Sequence, residues 1–197
     1  KYTPEGGDIS LVVEADESDG TIALYQPAVA VITNISLDHK PLDELRPIFR
    51  CFGASARKTV VTNADCAESV GLGIPDAVTF GLSNQAAQFH AVDVAPLPDG
   101  SIFAIDGTAF RLSVPGRHNV ANAAAAVAVC SQLGVSTEQA AAALQGFGGV
   151  QRRLQILGSA GGVTVIDDFA HNPDKIRATL DTLREFDGRV IAIFQPT

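Results

Sequence analysis

Apolar residues come in short continuous runs along the first part of the chain. Such runs predict strands at residues 11–13 and 28–35, and two further strands are predicted at residues 59–63 and 78–81. Apolar residues at helical spacing separate the later strands, over residues 41–56 and 65–70. Continuous rather than alternating runs are typical of parallel strands that are covered on both faces. Strands that alternate with helices predict a doubly wound, mostly parallel α/β domain.

The pattern changes after residue 83, where apolar and polar residues begin to alternate. Three such segments predict further strands, at residues 89–95, 101–106 and 108–114. The last two are joined by Asp106-Gly107, and Asp-Gly between apolar runs is a strong hairpin signal. We therefore expect an antiparallel meander attached to the parallel sheet.

An alanine-rich helix follows Pro115 and Gly116, which break the preceding strand. A second helix is predicted over residues 136–147, with Ser136 at its N-cap. The glycine-rich stretch after it places a domain boundary near Val150, so that we expect one domain over residues 1–149 and the start of another over residues 150–197. The second unit is predicted as strands, a helix and a final parallel strand, at residues 154–157, 162–169, 174–186 and 189–194.

Composition narrows the class of protein. The chain has 197 residues, 46% of them hydrophobic, and a net charge of -8, which argues against a general nucleic-acid binder. Its three cysteines lack metal-ligand spacing, and no apolar run could span a bilayer. We expect a soluble cytoplasmic protein with no membrane partner, of unknown oligomeric state. Because the second unit is too short for a stable α/β domain, we also expect the chain to be a fragment of a longer protein.

Acidic and histidine side chains follow the first two predicted strands. Glu14 opens the acidic stretch of residues 14–19, and His39 follows the next strand beside Asp38. Ligands bind open α/β sheets at the carboxyl ends of the strands, and carboxylate oxygens suit Mg²⁺. Glu14 and His39 are therefore candidate metal ligands. The alternatives are a solvated acidic loop and a structural histidine.

Two asparagines lie near the start of the alanine-rich helix. Asn119 and Asn122 are three residues apart and share one helical face. A carboxamide has both a donor and an acceptor, which suits the edge of an adenine ring. The competing interpretation is that both residues stabilise the helix start.

Charged residues also flank the predicted domain boundary. Arg152 and Arg153 could clamp a phosphate or a ribose in bidentate fashion, or they could form ordinary surface ion pairs. Asp168 ends the strand at residues 162–169 and could accept from ribose hydroxyls. His171 could face a substrate carboxylate or amine. The alternative for this segment is a strand-to-helix turn capped by Asp and Asn.

Five motifs in order along the chain resemble those of the Mur ligases, and most closely their muramate branch. They are Glu-Ala-Asp-Glu-Ser-Asp (14–19), Thr-Asn-Ile-x-x-Asp-His (33–39), Pro-Gly-Arg-His-Asn-x-x-Asn (115–122), Gly-x-x-Arg-Arg (149–153) and Asp-Asp-Phe-Ala-His-x-Pro (167–173). The resemblance implies an ATP-binding central domain followed by the start of a Rossmann-like C-terminal domain. It also implies an ATP-dependent carboxylate–amine ligase of peptidoglycan precursor synthesis or recycling, with Mg²⁺ as cofactor. Such a ligase joins an amino acid or peptide to UDP-N-acetylmuramate through an acyl phosphate.

The resemblance also implies roles for individual residues. Glu14 and His39 would bind Mg²⁺, and Arg153 and Asp168 would reach the nucleotide from the C-terminal domain. His171 would lie near the incoming amine. The remaining nucleotide-binding residues would be at the adenine, namely His118, Asn119 and Asn122.

The chain departs from the family pattern in one respect that bears on activity. A glycine-rich loop with Lys-Thr or Lys-Ser is expected before Glu14, and residues 1–13 contain none. We therefore expect the fragment itself to be inactive. The alternatives are a ligase of the folylpolyglutamate-synthase or cyanophycin-synthetase type, and a non-catalytic nucleotide-binding module.

Overall fold

The computed structural model of the protein describes residues 11–18, 20–37, 40–97 and 99–195. Four strands form a parallel sheet in the order β1-β2-β3-β4. Their bounds are Val29–Ile32 (β1), Thr59–Asn63 (β2), Val78–Gly81 (β3) and Phe89–His90 (β4). The strands predicted at residues 59–63 and 78–81 are confirmed with the same bounds, whereas the strand predicted at residues 28–35 is confirmed over residues 29–32 only.

Helices cover both faces of the parallel sheet. Helix α1, Leu42–Ala54, packs on one face together with a short 3-10 helix, Thr21–Leu24. The short helix α2, Ala67–Gly71, follows β2 and contacts it. Successive residues of β2 point to opposite faces, so that Val60 joins the α1 side of the core and Val61 joins the other side. The continuous apolar runs predicted this two-sided burial, and the α/β class is confirmed.

An antiparallel sheet follows in the order β5-β6-β7. Its strands are Val92–Leu97 (β5), Gly100–Ile105 (β6) and Thr108–Leu112 (β7). Asp106 and Gly107 have φ of 49° and 74° and form the predicted tight hairpin. The segment predicted as one strand over residues 89–95 divides instead between the two sheets. The division falls at Ala91, because Val92 pairs with β6 while His90 still pairs with β3.

Two helices pack the alanine-rich part of the chain against these sheets. Helix α3, Arg117–Gln132, lies on the face of the parallel sheet opposite α1, where its small side chains allow close approach. Helix α4, Thr137–Gln145, packs on β7. Its predicted N-cap is confirmed, since the Ser136 hydroxyl accepts from the Gln139 amide in a reciprocal capping box.

The C-terminal part of the chain begins with a hairpin. Strands β8, Gln155–Ala160, and β9, Val163–Asp167, pair antiparallel. Helix α5, Pro173–Leu183, follows, with Asn172 as its N-cap. The strands predicted at residues 154–157 and 162–169 and the helix predicted at residues 174–186 are thus confirmed, with somewhat different bounds.

Two predicted strands are absent among the described residues. Residues 11–13 and 189–194 have no regular secondary structure, and most of their apolar side chains face solvent. An apolar run forms a strand only where a neighbouring strand accepts its backbone hydrogen bonds. Neither segment has such a neighbour in the part of the chain that the structure describes. As a result, Glu14 does not stand at the end of a strand.

Among the described residues, no helix is both long enough and apolar enough to cross a membrane.

Candidate functional site

The N-terminus of α3 lies at the carboxyl edge of the parallel sheet. A cleft of about 310 Å³ opens there, lined in part by Leu82 and Ser83 after β3, His90 at the end of β4, and Arg117 at the start of α3. Ligands of open α/β sheets bind at this edge. The N–H groups at a helix start also attract anions.

The helix start leaves polar atoms available. Gly116 is the N-cap, with φ of 100°, and no side chain caps the helix. The Asn119 side-chain amide donates to the Pro115 carbonyl over 2.7 Å. This bond fixes the loop and does not involve the carboxamide oxygen of Asn119. Asn122 follows one turn later and is exposed. The two asparagines therefore share a helical face as predicted.

His118 marks the meeting of the two predicted units. Its ring is largely buried, and this burial lowers the pKa of His118 below its ordinary value. The Asp168 carboxylate opposes this effect on the pKa of His118, and the Arg153 guanidinium adds to it. These charge effects link three residues that the sequence predicted separately as nucleotide-binding.

Arg153 sits on an unusual turn. The residues on either side of it, Arg152 and Leu154, have φ of 59° and 47°, in the left-handed region that L-residues rarely occupy. The Leu154 amide donates to Oδ2 of Asp168 over 2.8 Å, and the Phe169 amide donates to the Arg152 carbonyl over 2.9 Å. These two bonds hold the turn against the end of β9.

Asp168 accepts two more hydrogen bonds. Its Oδ1 receives the Ala170 amide at 2.8 Å and lies 3.1 Å from the Thr179 hydroxyl of α5. A carboxylate offers about four lone-pair sites, so these three protein donors leave one site for a ligand. The capping interpretation of this segment therefore describes much of what Asp168 does.

Phe169 is an aromatic platform that the sequence analysis missed. Its ring lies 4.7 Å from the guanidinium carbon of Arg152 and 5.9 Å from that of Arg153, measured to the ring centroid. Arg152 also forms a surface ion pair with Asp167 at 3.4 Å. The ordinary interpretation thus holds for Arg152. The sequence analysis missed this role because the apolar pattern around Phe169 is the same as that of a residue in the hydrophobic core.

His171 lies on the same turn. Its Nδ1 is 3.0 Å from the Phe169 carbonyl oxygen, and its Nε2 is 3.4 Å from Nζ of Lys175. The ring packs edge-on against Phe169, with centroids 5.4 Å apart. The position of His171 beside the Arg153 turn agrees with a place at the rim of a shared site.

Asp65 forms a second feature that the sequence analysis missed. Its carboxylate accepts the consecutive backbone amides of Leu82, Ser83 and Asn84, at distances from 2.6 to 3.2 Å. Partial burial raises the pKa of Asp65. The three N–H donors and the charge of the nearby His90 lower this pKa by a larger amount, so the net pKa lies below its ordinary value. The loop after β3 is thereby tied to the end of β2.

Only one of the two predicted magnesium ligands lies among the described residues. Glu14 is exposed on a segment without regular structure, and His39 lies outside the described residues. Within residues 11–195, apart from the gaps named above, no group of three His, Cys, Asp or Glu side chains could hold a metal ion.

A helix start at the carboxyl edge of a parallel sheet is typical of nucleotide-binding α/β proteins. Two family models match the chain. Residues 9–130 match the Mur ligase middle domain, and residues 152–197 match the Mur ligase, glutamate ligase domain. The chain therefore belongs to the Mur ligase family.

Similar proteins carry the name UDP-N-acetylmuramate--L-alanine ligase. The chain is 40% identical to that of Synechococcus sp. (strain JA-3-3Ab), over 94% of this chain and 38% of the relative. It is 42% identical to that of Clavibacter sepedonicus, over 97% of this chain and 42% of the relative. The crystal structure of the ligase of that name from Thermotoga maritima superposes with a TM-score of 0.74 at 30% identity, over 86% of this chain and 41% of that one. The chain spans about two fifths of the length of these relatives.

Proposed function

We propose that the complete protein is an ATP-dependent ligase that joins an amino acid, L-alanine first among the candidates, to the carboxylate of UDP-N-acetylmuramate. The observation that carries the proposal is the packing of α5 against the start of α3, where Thr182 lies against Gly116, while Thr179 of the same helix binds Asp168 beside the Arg153 turn. It unites the residues expected around a nucleotide, in a chain about 40% identical to proteins with that ligase name.

The start of α3 is proposed as the adenine site. The Asn119 side-chain amide already donates to the Pro115 carbonyl. Its carboxamide oxygen is therefore proposed to accept a hydrogen bond from the adenine amino group. Asn122 is exposed one turn away and offers both a donor and an acceptor. The largely buried His118 is proposed to lie between these two asparagines and the Arg153 turn.

Arg153 is proposed to neutralise phosphate charge. In the reaction, the substrate carboxylate oxygen attacks the γ-phosphorus of ATP, ADP leaves, and an acyl phosphate forms. The amine nitrogen then attacks the acyl carbon and phosphate leaves with the former carboxylate oxygen. Both steps gather negative charge on phosphate oxygens, which a guanidinium stabilises best by paired hydrogen bonds. Asp168 holds this arginine's turn and has one acceptor site left for a ribose hydroxyl.

Glu14 and His39 are proposed as ligands of a magnesium ion, which would screen the phosphate oxygens when bound. The Glu14 carboxylate is open to solvent, as a carboxylate must be to receive a hydrated cation. We expect His39→Ala to raise the Mg²⁺ concentration that gives half the maximal rate. An unchanged Mg²⁺ dependence would make His39 structural.

His171 is proposed to lie near the incoming amine. Its ring is held at the Phe169 carbonyl and beside Lys175, at the rim of the Arg153 turn. An imidazole placed there could take a proton from the substrate's ammonium group, and the free amine that results would attack the acyl carbon. The proposed domains, residues 1–149 and 150–197, would then each supply one side of the site.

Oxygen-isotope transfer tests the proposal. UDP-N-acetylmuramate labelled with ¹⁸O in its carboxylate would be incubated with the complete protein, Mg-ATP and L-alanine. Transfer of one labelled oxygen to the released phosphate is expected, since the acyl phosphate route requires it. Phosphate release without label would contradict the acyl phosphate. ATP binding with no turnover on any carboxylate would support the non-catalytic module, and turnover on a folate or polypeptide carboxylate would support the related ligase types.

A further inference from the structure

A hydrogen bond joins α5 to the segment that holds the Arg153 turn. The Thr179 hydroxyl oxygen lies 3.1 Å from Oδ1 of Asp168 and 3.1 Å from the Lys175 carbonyl oxygen of its own helix. A hydroxyl has a single proton to donate, and an ionised carboxylate is a stronger acceptor than a backbone carbonyl. The proton therefore belongs to the bond with Asp168.

Through this bond α5 is connected to Arg153. Oδ2 of the same carboxylate accepts the amide of Leu154, the residue after Arg153, over 2.8 Å. The carboxylate is thus a rigid link between a helix and a turn that are far apart in sequence. Without its partner on α5, Oδ1 would keep only the Ala170 amide, and the carboxylate would hold the Leu154 amide less firmly.

The turn needs such a link. Arg152 and Leu154 both occupy the left-handed region of backbone space. Non-glycine residues persist in that conformation only where their surroundings hold them. The Leu154 amide, which the Asp168 carboxylate binds, belongs to one of these two residues.

We propose that Thr179 is a positioning residue: it orients the Asp168 carboxylate, which in turn holds the strained turn that carries Arg153. This inference rests on the proposed function in so far as Arg153 acts on ATP. Thr179 itself would contact neither the nucleotide nor the other substrates.

Three variants of the complete protein test this role. Thr179→Val removes the hydroxyl and keeps the branched shape, whereas Thr179→Ser keeps the hydroxyl. Thr164→Val is the matched control, because its hydroxyl pairs with Ser159 at 2.9 Å on the exposed β8–β9 hairpin. Thr179→Val is expected to lower kcat/KM for ATP about tenfold, the effect of losing one hydrogen bond to a charged group. The other two variants are expected to stay within about twofold of the wild type.

Hydrogen exchange of the Leu154 amide gives a second readout that does not depend on activity. We expect this amide to exchange faster in Thr179→Val than in the wild type, and at the wild-type rate in Thr179→Ser and Thr164→Val. If the wild-type protein shows no ligase activity, the proposed function fails and the exchange of Leu154 alone decides the positioning role. Wild-type exchange and turnover in Thr179→Val would overturn the inference, as would equal impairment of the serine and valine variants.

Discussion

A Cβ atom placed on Gly116 would lie 2.6 Å from the hydroxyl oxygen of Thr182. The start of α3 and the C-terminal part of α5 therefore approach each other more closely than any side chain at residue 116 would permit. Thr182 is buried at this contact, with 3% of its surface exposed. The contact closes one side of the candidate site, next to His118.

Gly116→Ala is expected to destabilise the protein and weaken the site. Gly116 combines φ of 100° with the close contact to Thr182, so alanine adds backbone strain and a clash, together about 2–4 kcal/mol in the free energy of unfolding. Gly107→Ala is the matched control, since φ there is 74° but no atom lies within 4 Å of the added Cβ. That variant should lose only about 1 kcal/mol. Equal losses in chemical denaturation would show that the Thr182 contact does not matter.

His118 is expected to make stability depend on pH. Because the folded-state pKa of His118 lies below the ordinary value of 6.5, the folded protein binds its proton less readily than the unfolded chain does. The free energy of unfolding is then at its full value above pH 6.5 and decreases as the pH falls toward the folded-state pKa. Denaturation at a series of pH values would measure this slope. His118→Gln should flatten it, and an identical slope in that variant would assign the effect to other groups.

Asp65→Asn is expected to loosen the loop after β3. The folded-state pKa of Asp65 lies below the ordinary value of 3.8. The contribution of this carboxylate to the free energy of unfolding is therefore present above pH 3.8 and is lost as the pH falls through the folded-state pKa. An amide would lose the charge and present an N–H₂ group to the backbone donors, at a cost of about 1–2 kcal/mol at this solvent-exposed position.

Asp99→Asn is the control for the Asp65 variant. The Asp99 carboxylate meets the Arg111 guanidinium at 2.7 Å in an exposed ion pair, which should contribute at most about 1 kcal/mol. Thermal unfolding at pH 7 compares the two variants. A loss in Asp65→Asn no greater than in Asp99→Asn would mean that the three backbone amides find other partners.

Asn122→Ala is expected to weaken nucleotide binding in the complete protein. Removing the Asn122 carboxamide would leave the adenine edge without a hydrogen-bond partner in the bound state, which should cost about 1–3 kcal/mol in binding free energy. Ser131→Ala, at the exposed far end of the same helix, is the control and should bind as the wild type does. Titration calorimetry with ATP makes the comparison, and an unchanged Kd in Asn122→Ala would remove Asn122 from the site.

Much of the fold could be predicted because the core strands are buried on both faces. The strand predicted at residues 28–35 begins with a continuous apolar run, and the structure places β1 within those bounds. The runs at residues 11–13 and 189–194 are equally apolar, yet they form no strand. Hydrophobicity alone does not provide the neighbouring strand that a backbone needs for its hydrogen bonds.

The site could be predicted only as separate motifs. Residue type and position at element ends pointed to Asn119, Asn122 and Asp168, each at a helix start or strand end. The contact between Gly116 and Thr182 is a tertiary relationship that no local pattern contains. Thr179 follows Asp168 by eleven residues, a separation that carries no motif, so only the packing of α5 reveals the bond.

The most direct test of the proposed ligase is phosphate release by the complete protein from Mg-ATP and UDP-N-acetylmuramate, with one amine offered at a time. We expect rapid release that requires both the sugar nucleotide and L-alanine, and much slower release with other amino acids or with the murein tripeptide. Preference for the tripeptide would move the protein to a recycling role. ATP binding without phosphate release, whichever amine is present, would contradict the account.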